Sequence, residues 1–342
     1  MAAPLRALLV GCGGICRAWL NSTKDRSDVQ IVGLVDLNPA NAEKIATEFG
    51  LADALRTPRL AEALEKLRPD IVFDCTIPLA HTEVTTTALQ AGCHVLGEKP
   101  LADSMANART SVAAAQATGK LYAVMQNRRY QAAIRSLRQF LDTGAIGRVT
   151  TVNADFYIGA HFGGFRDRME HVLLLDMAIH SFDQGRFIMN ADPRSVFCHE
   201  WNPSGSWYDH HASAQCIFEM TGGIVFNYRG SWCSEGLNTT WECDWRIVGD
   251  KGSVRWDGGG NLQAEVVKQV SGFKAEMEPR QIPVETPSGM ESGHKGCILE
   301  FLQCVREGGT PLTVCTDNIK SLAMVFGAIE SAESGRKVSI GA

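Results

Sequence analysis

Asp176 and His180 stand four residues apart in the string Leu175-Asp176-Met177-Ala178-Ile179-His180. Helical spacing puts two such residues on one face. Leu173, Leu174, Leu175 and Ile179 around them imply a mostly buried setting, where an aspartate and a histidine need each other or a ligand. A histidine so placed can serve as a base near neutral pH, and an adjacent carboxylate raises its proton affinity. A helix-start aspartate beside a satisfied core histidine fits the same string. Glu98-Lys99-Pro100 is the second candidate. Proline fixes its own φ and biases Lys99 toward extended backbone, so the ammonium is held in one direction. An ordinary strand end with a solvated lysine reads the same way.

Gly11-Cys12-Gly13-Gly14-Ile15-Cys16 directly follows an apolar run and opens a helix, the context in which a G-x-G-x-x-G-like string has meaning. Gly11 allows a tight turn and Gly13 lets a pyrophosphate approach the backbone. At Gly14 and Ile15 the chain enters the helix, whose free N–H groups favour an anion. Cys16 occupies the place of a third small residue. Asp36, 20 residues further on, can accept from the adenosine ribose hydroxyls, and its charge would repel a 2′-phosphate. The cofactor expected is therefore NAD rather than NADP.

The elements that must position these residues are legible from periodicity. Arg6–Val10, Val29–Val35, Ile71–Cys75, His94–Gly97 and Leu121–Met125 read as strands, with helices over Asn41–Phe49, Leu60–Leu67, Val84–Ala91 and Ser104–Thr118 between them. This is the βαβ pattern of a doubly wound parallel sheet, a dinucleotide-binding Rossmann domain over residues 1–125. Residues 126–342 differ. From Thr150 to about Pro283 the chain is rich in Val, Ile, Phe and Trp with turn signals at Gly163-Gly164, Gly222-Gly223, Gly236 and Gly258-Gly259-Gly260. A mostly antiparallel open sheet is expected there, with helices at Gln131–Asp142, Asp176–Ile188, Gly296–Arg306 and Asn318–Ser334. Trp241 to Ile247 reads as one strand, with Trp241, Cys243, Trp245 and Ile247 on one face. The overall class is α/β, and a cleft is expected where the two domains meet.

Composition narrows the function. With 342 residues, 45% hydrophobic and 21% charged, the chain can bury a sizeable core and divide into about two domains. A net charge of -5 without a Lys/Arg run gives no field for nucleic acid or anionic lipid, and no apolar stretch approaches the roughly 20 residues that span a bilayer. The 11 cysteines are scattered and contain no C-x-x-C pair, which reads as reduced thiols in a cytoplasmic protein. His210-His211 has no third ligand at a recognisable spacing, so no metal is expected.

Longer strings carry a resemblance. Cys75-Thr76-Ile77-Pro78-Leu79-Ala80-His81, then Ala88 through Gly97-Glu98-Lys99-Pro100-Leu101, Asn127-Arg128-Arg129-Tyr130, Gly144-Ala145-Ile146-Gly147-Arg148-Val149, Asp176-x-x-x-His180, Gly249-Asp250-Lys251-Gly252-Ser253-Val254 and Ser331-Ala332-Glu333-Ser334-Gly335 resemble the Gfo/Idh/MocA family of sugar and polyol oxidoreductases. The resemblance implies a Rossmann domain followed by an α/β domain whose open sheet face forms subunit contacts, hence a homodimer or homotetramer. It also implies that Lys99, Asp176 and His180 surround the reacting carbon. Thr76, His81 and Glu98 match positions lining the cofactor cleft, and Arg166 matches the arginine of a Trp-Arg motif near the nicotinamide. Two departures stand out: Phe165 replaces the tryptophan, and Met169-Glu170-His171-Val172 replaces a glycine-rich stretch before Asp176.

The reaction implied is hydride transfer between NAD and a secondary hydroxyl or ketone of a small carbohydrate or polyol. His180 would act as general acid/base, Lys99 as oxyanion stabiliser and Asp176 as orienting group. Arg128, Asp155, Tyr157 and His161 are candidate substrate contacts and equally candidate domain-interface residues. A redox-neutral NAD-dependent glycosidase would use the same Lys99 and His180 plus a further acid/base group. A non-catalytic sugar sensor would have no need of them. Trp232, Trp241 and Trp245 read as sheet core or subunit interface.

Overall fold

The computed structural model describes residues 3–270, 272–286 and 290–341. In the first compact unit, apolar runs alternate with helices as β1 (Leu5–Val10), α1 (Cys16–Thr23), β2 (Val29–Val35), α2 (Pro39–Glu48), β3 (Leu55–Thr57), α3 (Leu60–Leu67), β4 (Ile71–Asp74), α4 (Pro78–Gln90), β5 (His94–Gly97), α5 (Met105–Thr118) and β6 (Tyr122–Val124). The strands form one parallel sheet in the order β3-β2-β1-β4-β5-β6. β4 is buried at every position and β1 at its last four, so both faces of the sheet are covered and these strands read as continuous apolar runs. The chain order reverses between β1 and β4, and ligands of open α/β sheets bind outside the carboxyl ends of the strands at such a point. Local signals agree with the fold. Ser104 caps α5 by accepting from Asn107 N at 3.2 Å, and Gly119 closes it in the left-handed region at φ 65. One expectation needs correction, since α4 starts at Pro78 rather than Val84, with proline at its first turn; β3, absent from the expected strands, has three residues and is too short to show a period.

The second unit contains α6 (Ala132–Asp142), β7 (Val149–Tyr157), a π-helical turn (Leu173–Ala178) running into α7 (Ile179–Met189), then β8 (Pro193–Trp201), β9 (Ser213–Met220), β10 (Val225–Ser231), β11 (Asp244–Gly249), β12 (Gly252–Trp256), β13 (Leu262–Gln269) and β14 (Glu276–Gln281). After α8 (Gly293–Glu307) and α9 (Cys315–Ser334), β15 (Val338–Ser339) completes a nine-stranded sheet, β14-β13-β12-β11-β7-β10-β9-β8-β15. Only the β7–β10 pair is parallel. Val152, Ala154 and Phe156 of β7 are buried, and their intervening neighbours are not. On the buried face Phe182 of α7 packs edge-on against Phe218, at 4.9 Å between centroids, and Tyr228, at 5.2 Å. The expected strand Trp241–Ile247 begins only at Asp244. Cys243 sits at φ 68, which ends strand geometry before it, while Trp245 and Ile247 keep the inward face.

The two C-terminal helices divide differently from a boundary at residue 125. The first unit runs to Tyr130 and resumes only before α8, ending at Ile319, so α8 belongs to it and α9 continues into the second unit from Lys320. Cys297, Ile298, Phe301 and Leu302 of α8 share one buried cluster with Trp19, Leu20 and Phe73. A helix far along the sequence thus closes the core beside α1. If that packing carries the unit, Phe301→Ala should cost about 3–5 kcal/mol in a urea unfolding titration followed by Trp19-sensitive fluorescence. A loss below about 1 kcal/mol would show α8 to be dispensable.

Candidate active site

The glycine turn is built by close approach. Gly11 lies at φ 90, and a Cβ there would stand 2.6 Å from the carbonyl oxygen of Cys75, the residue after β4. Gly13 and Gly14 face open space, where a Cβ would meet nothing within 4 Å. Ile15 is the N-cap of α1 and makes no side-chain cap bond, nor is there an acidic residue in the first turn, so the helix end is left to an anion. Asp36 accepts from the backbone N–H of Cys12 and of Asn38, both at 2.8 Å, and from Asn41 Nδ2 at 3.2 Å. These residues fit the pyrophosphate and adenosine ribose of a dinucleotide. Asp36 has a further duty that sequence did not disclose, since it fixes the turn itself. Cys16 donates its thiol to Gly13 O at 2.9 Å, and burial pushes the thiols of Cys12 and Cys16 up to about 12 and about 11, so both stay neutral.

The same sheet edge carries Thr76, His81, Glu98 and Lys99. Asp74, buried at the end of β4, accepts from Thr76 N at 3.0 Å and Thr76 Oγ1 at 2.5 Å. Burial pushes its carboxyl up, against the opposing pull of His81 and of the Thr76 hydrogen bonds. His81 is itself buried, with Nδ1 2.7 Å from Pro100 O and Nε2 3.1 Å from Thr76 O. It ties the turn after β4 to the segment after β5. Glu98 is also buried: Oε1 accepts from Trp19 Nε1 at 2.7 Å and Oε2 from Lys99 N at 3.2 Å. The Lys99–Pro100 peptide is cis. Lys99 is half-buried at the carboxyl end of β5. Nearby, Asn127 Nδ2 lies 3.4 Å from His294 Nδ1 on α8, and burial pushes that imidazole down against the charge of Glu98. Sequence reasoning missed Trp19, Asp74 and His294. Trp19 reads as core in an amphipathic helix, and no local spacing joins His294 to Glu98.

Asp176, His180 and Arg166 belong to the second unit. Asp176 lies in the π-helical turn and His180 near the start of α7, both half-buried. π turns are frequent at functional sites. Arg166 Nε donates to Asp176 Oδ2 at 2.8 Å and Nη2 to Oδ1 at 3.4 Å. The Arg166 guanidinium lies 4.8 Å from the ring centroids of both Phe162 and Phe165, so Phe165 retains the aromatic contact expected of the residue it replaces.

The candidate substrate contacts are not brought together. Asp155 and Tyr157 share a strand face, but it is the face opposite Ala154 and Phe156, away from α7. There Asp155 pairs with Arg229 of β10, Nε to Oδ1 at 2.7 Å. Tyr157, whose hydroxyl burial pushes up, is held through its backbone to Thr239. His161 stacks on Trp207 at 3.7 Å and lies 2.7 Å from Glu235. Arg128 is buried in the short turn Asn127–Tyr130 of the first unit. Of the expected aromatic trio, Trp232 and Trp245 are buried and Trp241 is 48% exposed. Among the described residues no group of three or more His, Cys, Asp or Glu is arranged to hold a metal, and no helix is long and apolar enough to cross a membrane.

Comparison with known proteins places this geometry in a family. Over 97% of this chain and 97% of the relative, 25% of residues match 1,5-anhydro-D-fructose reductase of Ensifer adhaerens. D-apiose dehydrogenase of Paraburkholderia graminis is 26% identical over 98% of this chain and 89% of its own. The crystal structure of an oxidoreductase from Agrobacterium radiobacter in complex with NAD+, L-tartaric acid and magnesium superposes with a TM-score of 0.85 at 22% identity, covering 98% of each chain, a likeness of fold. Residues 5–126 match the profile of the oxidoreductase family with an NAD-binding Rossmann fold, and residues 134–255 match the GFO/IDH/MocA C-terminal domain. With both of its domains so matched, the chain belongs to the GFO/IDH/MocA family of NAD-dependent oxidoreductases.

Proposed function

We propose that this enzyme interconverts a secondary hydroxyl and a ketone on a sugar, polyol or sugar derivative. The observation that carries the reading is Lys99 at the carboxyl end of β5, on the sheet edge that also presents the glycine turn and Asp36. The names of the relatives, a reductase of anhydrofructose and a dehydrogenase of apiose, support the carbohydrate class. When bound, NAD supplies the hydride acceptor, and in its reduced form the donor.

The chain's own residues handle the proton and the charge. His180 takes the hydroxyl proton in oxidation and returns it in reduction. Lys99 donates from its ammonium to the oxygen on which negative charge develops. Asp176, steadied by Arg166, orients His180 or a substrate hydroxyl. Thr76, His81 and Glu98 hold the rim on which the cofactor rests. Arg128 and His161 are assigned to the substrate, and Asp155 and Tyr157 less so, because both lie on the sheet face away from α7, where Arg229 engages Asp155. The exposed Phe197 and Ile217 on the open face of the nine-stranded sheet support self-association through that face. No disulfide links any of the eleven cysteines, all among the described residues, which supports a cytoplasmic setting.

A panel of inositols, aldoses, glycosides and sugar acids, assayed for NADH formation and separately for glycoside cleavage, tests the reaction class. Net NADH with one substrate supports the dehydrogenase; cleavage without net NADH replaces it by the redox-neutral glycosidase. On the productive substrate, Lys99→Ala and His180→Ala should each lower kcat by roughly 10²-fold or more with NAD affinity retained. Turnover within about threefold of the parent would remove the residue from its role. Asp36→Asn deletes the charge and keeps an acceptor for the Cys12 N–H, at the loss of the acceptor for Asn38 N and Asn41 Nδ2, so fluorescence titration should find NADP discrimination relaxed by about tenfold or more. An unchanged preference would mean that another group reads the ribose.

A further inference from the structure

His171 stands in the segment that leads into the Asp176–His180 pair, and its backbone has the conformation that glycine favours. Its φ is 51, in the left-handed region that strains a residue with a Cβ and persists only where the surroundings hold it. Its carbonyl accepts from Leu175 N at 3.0 Å, so this residue starts the helical segment that carries Asp176 and His180. Its side chain explains how the conformation is held. Nδ1 lies 2.6 Å from Oε2 of Glu200 on β8, and Nε2 lies 3.6 Å from Oε1 of Glu333 on α9. The Glu200 side chain is 1% exposed, and its Oε1 has no hydrogen-bond partner among the described residues, so His171 is its counter-charge.

We propose that His171 is a positioning residue: its ion pair with buried Glu200 fixes the left-handed start of the π turn and so sets the placement of Asp176 and His180. The inference rests on the proposed roles of those two residues only for its effect on turnover. The groups facing the imidazole are Glu200, Glu333 and Glu170, all acidic. The hydrogen bond to Glu200, outweighing burial, holds the histidine above its ordinary value. A raised histidine contributes stability that is complete below about pH 6.5 and is lost as pH rises through the folded-state value. The pin therefore loosens on the alkaline side.

The test uses the full chain with Glu200→Gln, which deletes the charge at nearly constant shape, and His171→Gly, which keeps the backbone conformation and deletes the pair. Hydrogen exchange of the 172–182 segment at pH 6 and pH 8.5 reads position without reference to any substrate. In the parent, exchange should accelerate between the two pH values beyond the intrinsic chemical rate; in Glu200→Gln it should be roughly tenfold faster at pH 6, in His171→Gly it should stay near the parent's pH 6 rate because glycine reaches this φ freely, and both variants should lack that extra pH dependence. An NMR titration of His171 should move to lower pH in Glu200→Gln. On a productive substrate the alkaline limb of kcat should shift acidward by the same amount, with the KM for NAD within about twofold. Unchanged exchange at pH 6 in Glu200→Gln, or an unmoved alkaline limb in that variant well below the melting temperature, overturns the proposal. Altered exchange in a protein that oxidises none of the sugars counts against the proposed reaction and leaves the pin in place.

Discussion

The carboxyl edge of the six-stranded sheet depends on one contact that only glycine permits. At Gly11 the turn after β1 comes so near the Cys75 carbonyl that a single added carbon would overlap it. Because β1 and β4 are neighbours at the point where chain order reverses, this contact brings together the two turns that frame a dinucleotide. The rest of the rim is layered on it. Asp74 fixes Thr76, His81 reaches from the Thr76 carbonyl to that of Pro100, and Glu98 braces the Lys99 N–H against Trp19. Side chains that a sequence reader assigns to the cofactor are in large part holding one another.

This arrangement has an electrostatic consequence. Asp74 and Glu98 are carboxyl groups taken out of water; both oxygens of Glu98 accept hydrogen bonds from protein, whereas in Asp74 Oδ1 accepts two and Oδ2 none among the described residues. Removing one donor would strand a buried acceptor, a larger penalty than the loss of an exposed pair. The surface ion pairs, such as Lys268 with Glu276, are screened and contribute little by comparison. The rigidity of the site is therefore concentrated where few residues are charged and nearly all are hidden.

How much of this could be read from the sequence divides along the range of the interaction. Strands such as Val29–Val35 and His94–Gly97, and the helix Leu60–Leu67, carry local periodicity and were legible to the residue. The glycine turn and Asp36 were legible because a βαβ frame fixes their separation. β3 was not, since three residues show no alternation, and Trp241 was misplaced because Cys243 adopts a left-handed backbone that no pattern announces. Asp155 and Tyr157 were correctly put on one face, but alternation cannot say which face helices cover; Phe182 packing on Phe218 and Tyr228 settles that. The membership of α8 in the first unit was invisible for a related reason. An amphipathic helix announces that it has a partner and not which one, and here its partner cluster lies more than two hundred residues upstream in Trp19 and Phe73.

The departures from the family pattern follow the same physics. Phe165 keeps an aromatic ring over Arg166, so the cation loses little when tryptophan is replaced. His171 is different, because its left-handed backbone carries strain that Phe165, in the right-handed region, does not incur. Strain at a residue opening a π turn persists only if the surroundings over-determine it. A buried carboxylate on β8 and an acidic helix beyond it supply that determination, and both act through charge. A glycine would reach the same φ without cost and without any dependence on pH. The histidine therefore brings to this position something that the conformation alone does not require: a start to the Asp176–His180 segment whose firmness varies with protonation.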